Sequence, residues 1–317
     1  MDATLQACLG ASPRAGAIDD VAAWWRLWLA LAPPDDRAAS LAVAGGFAAD
    51  RVGWAFASGY QAALRVLLPD LPRDTLAALC VTEATGNRPR DIRTTIVPLG
   101  DGGFRIDGAK RWTTLGPAST QLLVVGVLQT PGADSARPML RVARVPVPSQ
   151  GLVLEPMPPT RFVPEVPHAQ LQLHGVRVNG HALLPGDGYD ACVKPFRTIE
   201  DVHVTLAVLA YLLREGLARR WPPAIVEEVV AAIGLLLRIA MDDANAATTH
   251  VALAGALRIA HRLYGEASAI WATPGDDPAA QRWQRDALLF DVASSARTQR
   301  AARAWERLAA PPVAGAD

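Results

Sequence analysis

Six histidines and three cysteines are the side chains of this 317-residue chain best suited to hold a metal. His168, His174, His181, His203, His250 and His261 show no ligand spacing. His250 and His261, 11 positions apart, fall on roughly one helix face and read as packed or surface histidines rather than ligands. Cys8, Cys80 and Cys192 are odd in number and far apart, which disfavours a metal site and a disulfide framework and suits a reducing cytoplasm. No metal is expected. Two acidic residues, Glu200 and Asp201, stand near the start of a helical stretch beginning at Phe196. Acidic side chains in a first helical turn stabilise its positive end, and we prefer that reading for the pair. Two further stretches combine glycine with hydroxyl, charged and indole side chains: Cys80-Val81-Thr82-Glu83-Ala84-Thr85-Gly86-Asn87 and Gly108-Ala109-Lys110-Arg111-Trp112-Thr113-Thr114-Leu115-Gly116. Taken singly, each is ordinary: one is a strand running into a loop, the other core packing and a hydrogen-bonded turn.

Composition narrows the partners. Lys plus Arg (31) equals Asp plus Glu (31), so the formal charge is zero and a general polyanion binder is disfavoured; no nucleic-acid partner is expected. Half of the residues are hydrophobic, enough for one large core or a few small ones. The apolar run Ile225 to Met241 is interrupted by Glu227, Glu228 and Arg238, which marks a buried bundle helix rather than a membrane span. The Met-Asp-Ala start lacks the basic region of a signal peptide, and a cytoplasmic location is expected.

Three regions must position the two stretches: a helical one over 1–75, a β region over 76–195 and a helical bundle over 196–317. In the first, Val21, Ala22, Trp25, Trp28 and Leu29 recur at helical spacing. A second helix covers about Arg37 to Leu68, with Gly45-Gly46 a possible break. The middle region alternates short runs with turns: Thr94–Leu99, Phe104–Asp107, Gln121–Leu128, Met139–Val147 and the alternation around Leu171 and Leu173. Such strands suggest a small barrel or sandwich. The last region offers four helices: one through Ile199 to Leu213, one over Ile225–Met241, one over Thr249–Trp271, and one from Ala279 to Leu308 after the turn Thr273 to Pro278. The fold class is therefore α+β.

The two stretches, in order and 30 positions apart from Thr82 to Trp112, resemble the signature of the acyl-CoA dehydrogenase family. That family's Thr-Glu-Pro, Gly-Ser and apolar-x-Thr elements are matched by Thr82-Glu83, Gly86-Asn87 and Ile92-Arg93-Thr94, and its Gly-x-Lys-x-Trp-Ile-Thr-Asn-Gly by Gly108 to Gly116. Val176-Arg177-Val178 and Leu184 to Gly188 match the close of its β domain, so the resemblance covers about residues 76–215. It implies a flavoprotein binding FAD and desaturating an acyl thioester on coenzyme A or a carrier protein, in a homo- or hetero-oligomer. It further implies that backbone near Val81 and Thr82 meets the flavin's polar edge, Gly86-Asn87 the pyrophosphate, Trp112 a ring edge and Thr114 the flavin N5.

The resemblance also exposes departures. Most of the family carries a catalytic Glu after Arg-Asp and seven residues; here Arg285-Asp286 leads to Ser294, and serine cannot serve as base without an activating partner. A minority places the base on the first bundle helix, which makes Glu200 or Asp201 the alternative carboxylate. Two adenosine-binding motifs are replaced by Arg214-Glu215-Gly216 with Arg219-Arg220-Trp221-Pro222, and by Tyr264-Gly265-Glu266. A catalytically silent subunit beside a complete homologue, or a flavin monooxygenase of the same fold, are the alternatives to a desaturase.

Overall fold

The apolar stripe beginning at Val21 forms a helix because Asp20 caps it, its carboxylate accepting from the Ala23 amide at 2.7 Å. The computed structural model describes residues 2–13, 15–129, 139–272 and 277–310. Helices come first: α1 (Ala3–Gly10), α2 (Val21–Ala30), α3 (Ala38–Ala48) and α4 (Val52–Leu67). The strands follow: β1 (Ala77–Cys80), β2 (Thr95–Pro98), β3 (Phe104–Thr114), β4 (Gln121–Leu128), β5 (Leu140–Pro146), β6 (Leu152–Pro156) and β7 (His168–Val178). Then come α5 (Lys194–Arg219), α6 (Pro223–Ile239), α7 (Ala247–Trp271), α8 (Pro278–Asp286) and α9 (Ser294–Ala309).

The strands build one seven-stranded sheet, a half-barrel ordered β1-β4-β2-β3-β7-β6, with β5 on the other edge of β4. β1 and β2 pair with different halves of β4, at Gln121–Val124 and Val127–Leu128. Alternation along β4 sends Leu123 and Val125 into the larger core shared with the helices, and Leu122 and Val124 into a smaller core on the other face.

Several expectations needed correction. Gly45-Gly46 is not a break: both lie inside α3, and the chain turns at Ala49–Arg51 instead. The glycines serve close helix packing, since a Cβ on Gly46 would stand 2.0 Å from the Ala207 carbonyl oxygen of α5. Gly46→Ala should therefore cost about 3 kcal/mol, the upper part of the range for overpacking against a backbone that cannot yield. A urea melt measures it, and an unchanged midpoint would contradict the close approach. β3 runs on from Asp107 to Thr114 through two bulges, after Ile106 and after Lys110. α1, β1 and β6 were not foreseen. The fourth bundle helix is broken: α8 ends at Asp286, a tight turn covers Ala287–Asp291, and α9 begins at Ser294. That kink seats the Phe290 ring 4.2 Å from Tyr264 and 5.2 Å from Trp283. Of the expected turn from Thr273 to Pro278, residues 273–276 lie outside the described residues.

Candidate functional site

The two signature stretches meet through a buried ion pair. Lys110 on β3 donates to the Glu83 carboxylate at 2.7 Å, and neither side chain is more than 6% exposed. The same carboxylate accepts from the Thr94 hydroxyl at 2.7 Å and from the backbone amides of Arg93 and Thr94 at 2.7 and 3.0 Å. Burial would raise the Glu83 carboxyl, yet the Lys110 ammonium and the Thr94 donors hold it below its ordinary range. The Arg111 amide donates to the Thr82 carbonyl at 2.8 Å, so Thr82 is fixed beside Trp112. At Trp112 the backbone enters the left-handed region (φ 57°), and its indole emerges from the sheet 48% exposed, edge-on to the His168 ring at 6.0 Å.

Two cavities of about 920 and 160 Å³ share Thr82, Arg111, Trp112, Thr114 and Glu200 as lining residues. The larger also reaches Phe56 of α4, Val204 and Val208 of α5, Ala260 and Tyr264 of α7, and Phe290. Its volume lies in the upper range of small-molecule sites. The smaller adds Tyr60, Val81, Asn87, Phe196 and Arg197. The Thr82 and Thr114 hydroxyls make no side-chain hydrogen bond among the described residues, so both are available to a ligand.

The first-turn reading of Glu200 and Asp201 does not hold, because α5 starts at Lys194 and its first turn carries no acidic residue. The two carboxylates are also in different situations. Asp201 is gripped by α9, accepting from Arg297 at 2.9 Å and Arg300 at 2.7 Å. Glu200 lines both cavities and has no hydrogen bond or ion pair among the described residues. Burial, reinforced by the neighbouring Asp201 charge, pushes its carboxyl up to about 7. That is the range in which a carboxylate can exchange a proton at neutral pH.

Of the other sequence-derived residues, Val81 and Asn87 line the smaller cavity and Thr82, Trp112 and Thr114 line both. Gly86 lines neither. Its amide and carbonyl close a tight turn with Glu83, its φ is +134°, and a Cβ there would meet the Asp91 carboxylate at 2.5 Å. That glycine answers to turn geometry and a neighbouring acid. Ser294 is exposed at the start of α9 and lines neither cavity. The Arg285-Asp286 pair fastens α8 to the loop before β7: Asp286 accepts from the Val163 amide at 2.7 Å, and Arg285 reaches Glu165 at 3.0 Å. Arg214 and Arg219 are occupied by Glu215, and Tyr264-Gly265-Glu266 lies within α7 rather than in a turn. His250 and His261 take backbone partners, at the Ala244 and Phe290 carbonyls. Among the described residues no group of three His, Cys, Asp or Glu side chains could hold a metal, and no helix is long and apolar enough to cross a membrane.

His168 was missed from sequence. It lines the larger cavity and pairs in register with Thr114, and burial pulls its imidazole below the usual range, which favours the uncharged form. Extending β3 to Thr114 would have exposed that pairing.

No family model and no curated protein matches this sequence. Solved structures do. Butyryl-CoA dehydrogenase from Megasphaera elsdenii superposes with a TM-score of 0.72 at 14% identity, over 92% of this chain and 91% of that one. A glutaryl-CoA dehydrogenase from Mycobacterium smegmatis in complex with FADH2 gives 0.63 at 14% identity, over 97% and 94%. FkbI, for biosynthesis of the methoxymalonyl extender unit of a polyketide immunosuppressant, gives 0.64 at 20% identity, over 86% and 84%. The chain therefore has the acyl-CoA dehydrogenase fold.

Proposed function

We propose that this protein is an FAD-dependent oxidoreductase that desaturates an acyl thioester, with Glu200 as the acceptor of the α-proton. The observation that carries the proposal is the placement of an unpaired carboxylate, held near neutrality, in a cavity lined by the signature residues Thr82, Trp112 and Thr114. The cavity suits the ring end of a flavin: its walls are mostly apolar side chains, and the free hydroxyls of Thr82 and Thr114 offer the few polar contacts that would orient a ring. Bound there, FAD would supply the hydride acceptor, and the redox chemistry would be the cofactor's. The chain's own residues do the rest. Val81 and Thr82 present the strand-to-turn backbone, Trp112 shields a ring edge, and the apolar faces of α5 and α7 keep water from the reacting carbons. Glu200 takes the proton. Butyryl- and glutaryl-CoA dehydrogenases act on thioesters by their names, which supports the same substrate class here, on coenzyme A or a carrier protein.

A catalytically silent subunit is the second reading. It draws on Gly86 facing Asp91 and on the engagement of Arg214 and Arg219 elsewhere, which leave the far half of FAD without those partners. Exposed Trp305 and Leu308 on α9 would suit an oligomer in either case. An absorbance spectrum of the purified protein, before and after addition of FAD and desalting, tests the proposal. Retained flavin bands that bleach with an acyl thioester are the expected outcome. A protein that stays colourless would overturn the enzyme reading for the isolated chain.

A further inference from the structure

Two charged side chains in the smaller cavity have no part in the scheme above, Arg111 and Arg197, and they line it together with Asn87, for which the resemblance implied a pyrophosphate contact. Of the other arginines that line a cavity, Arg297 is held by Asp201, whereas Arg161 lies in the larger cavity and makes no ion pair among the described residues. The guanidinium groups of Arg111 and Arg197 make no ion pair and no hydrogen bond with any described residue, and the Asn87 amide makes no side-chain hydrogen bond. Arg111 comes from the end of β3, Arg197 from the first turn of α5 and Asn87 from the turn after Glu83, so three separate elements converge on one space. Glu200, in the same space, makes no ion pair with either guanidinium, although the Arg197 charge acts on its carboxyl. Two like charges bordering one small cavity repel, and an anion between them relieves that repulsion. A cavity of about 160 Å³ is roomy enough to admit a phosphate group. The planar donor fork of guanidinium matches phosphate oxygens two at a time, and an amide adds a third donor.

We propose that Arg111, Arg197 and Asn87 form a phosphate cleft that holds the phosphoryl part of a ligand whose other end enters between Thr82 and Thr114. The inference rests on the flavoprotein reading for the ligand it names first, the pyrophosphate of FAD. The cleft would do the anion-binding work that Gly86, turned toward Asp91, and Arg214 and Arg219, engaged by Glu215 and Asp277, are not placed to do. The same chemistry would fit the phosphate of a pantetheine arm.

Isothermal titration of the full chain with two matched pairs separates these sources: riboflavin against FMN and FAD, and pantetheine against 4′-phosphopantetheine. The phosphate-bearing member of one pair should bind at least about tenfold tighter than its phosphate-free partner. Arg111→Gln and Arg197→Gln should each reduce that margin on the order of tenfold and leave the phosphate-free partner unchanged, while Arg197→Lys keeps part of it. Both arginines are exposed, so neither change threatens folding. Equal affinities within both pairs would overturn the cleft, as would variants that weaken riboflavin and FAD alike. A margin confined to the pantetheine pair, with no flavin bound, would keep the cleft and end the flavin proposal.

Discussion

Replacing Glu200 by glutamine should leave flavin retention intact and slow desaturation of an accepted thioester by about 100- to 10,000-fold, the span a positioned proton acceptor supplies. Glutamine keeps the shape and removes only the basic oxygen. Neither Asp201 nor Ser294 can take over, because Asp201 is held by Arg297 and Arg300 and Ser294 lies outside the cavity. The base must be ionised to act, so the wild-type rate should climb as pH rises through about 7. Stability should move the other way. A carboxyl raised in the folded state contributes stability that is complete below its unfolded pKa and lost as pH rises through its folded one. Between about pH 5 and 8 the wild type should therefore lose about 2 kcal/mol relative to Glu200→Gln, after allowing for Glu200's partial contact with solvent. Single-turnover rates and melting curves at the two pH values check both halves. A glutamine variant with undiminished turnover would remove Glu200 from the mechanism.

Lys110→Met should destabilise the chain by about 3–5 kcal/mol, the cost of leaving a buried carboxylate without its partner. Methionine fills much of the same volume, so the loss reports the Glu83 charge rather than a void. Adding Glu83→Gln should recover most of it, because the amide can still accept from Thr94 and the backbone amides of Arg93 and Thr94 without a net charge to desolvate. Urea melts of the single and double variants decide the matter. Equal instability in both would mean that packing, and not charge, sets the cost.

The helix–sheet–helix order was legible because it rests on periodicity, and periodicity survives local error. Gln121–Leu128 was found to the residue, since apolar side chains on both faces of β4 bury into two cores and leave an unbroken run. Gly45-Gly46 misled because sequence carries the same signal for a helix break and for two helices in close contact; only the Ala207 carbonyl distinguishes them. Asp107-Gly108 looked like the end of a strand, whereas Gly108 permits a bulge against Thr94 and the strand continues. Ala77–Cys80 was invisible as a strand because its alanines carry little β preference, and pairing with Gln121–Val124 fixes it.

At the site, the residues that cluster through local sequence were readable and those that depend on a third dimension were not. Thr82, Trp112 and Thr114 do share a cavity wall. Glu200 and Asp201, adjacent in sequence, differ in accessibility to a ligand only because α9 reaches across to Asp201. Nothing within α5 announces that difference. His168 lies 54 positions beyond Thr114 and becomes its neighbour only through strand pairing. At Gly86 the residue type fits a phosphate role by sequence, while the structure shows a tight turn with Glu83 and a close approach to Asp91 that also call for glycine.

The Glu83–Lys110 pair also bears on descent. Because that bond fastens one signature stretch to the other, a change to either residue alone is opposed for mechanical reasons, whatever the cavity beside them does. A lineage that abandoned catalysis altogether could exchange both residues together, but would lose stability by changing either one alone. The signature is thus a record of architecture, and evidence of chemistry begins one residue further along, with the side chains that face the cavity and have no partner of their own.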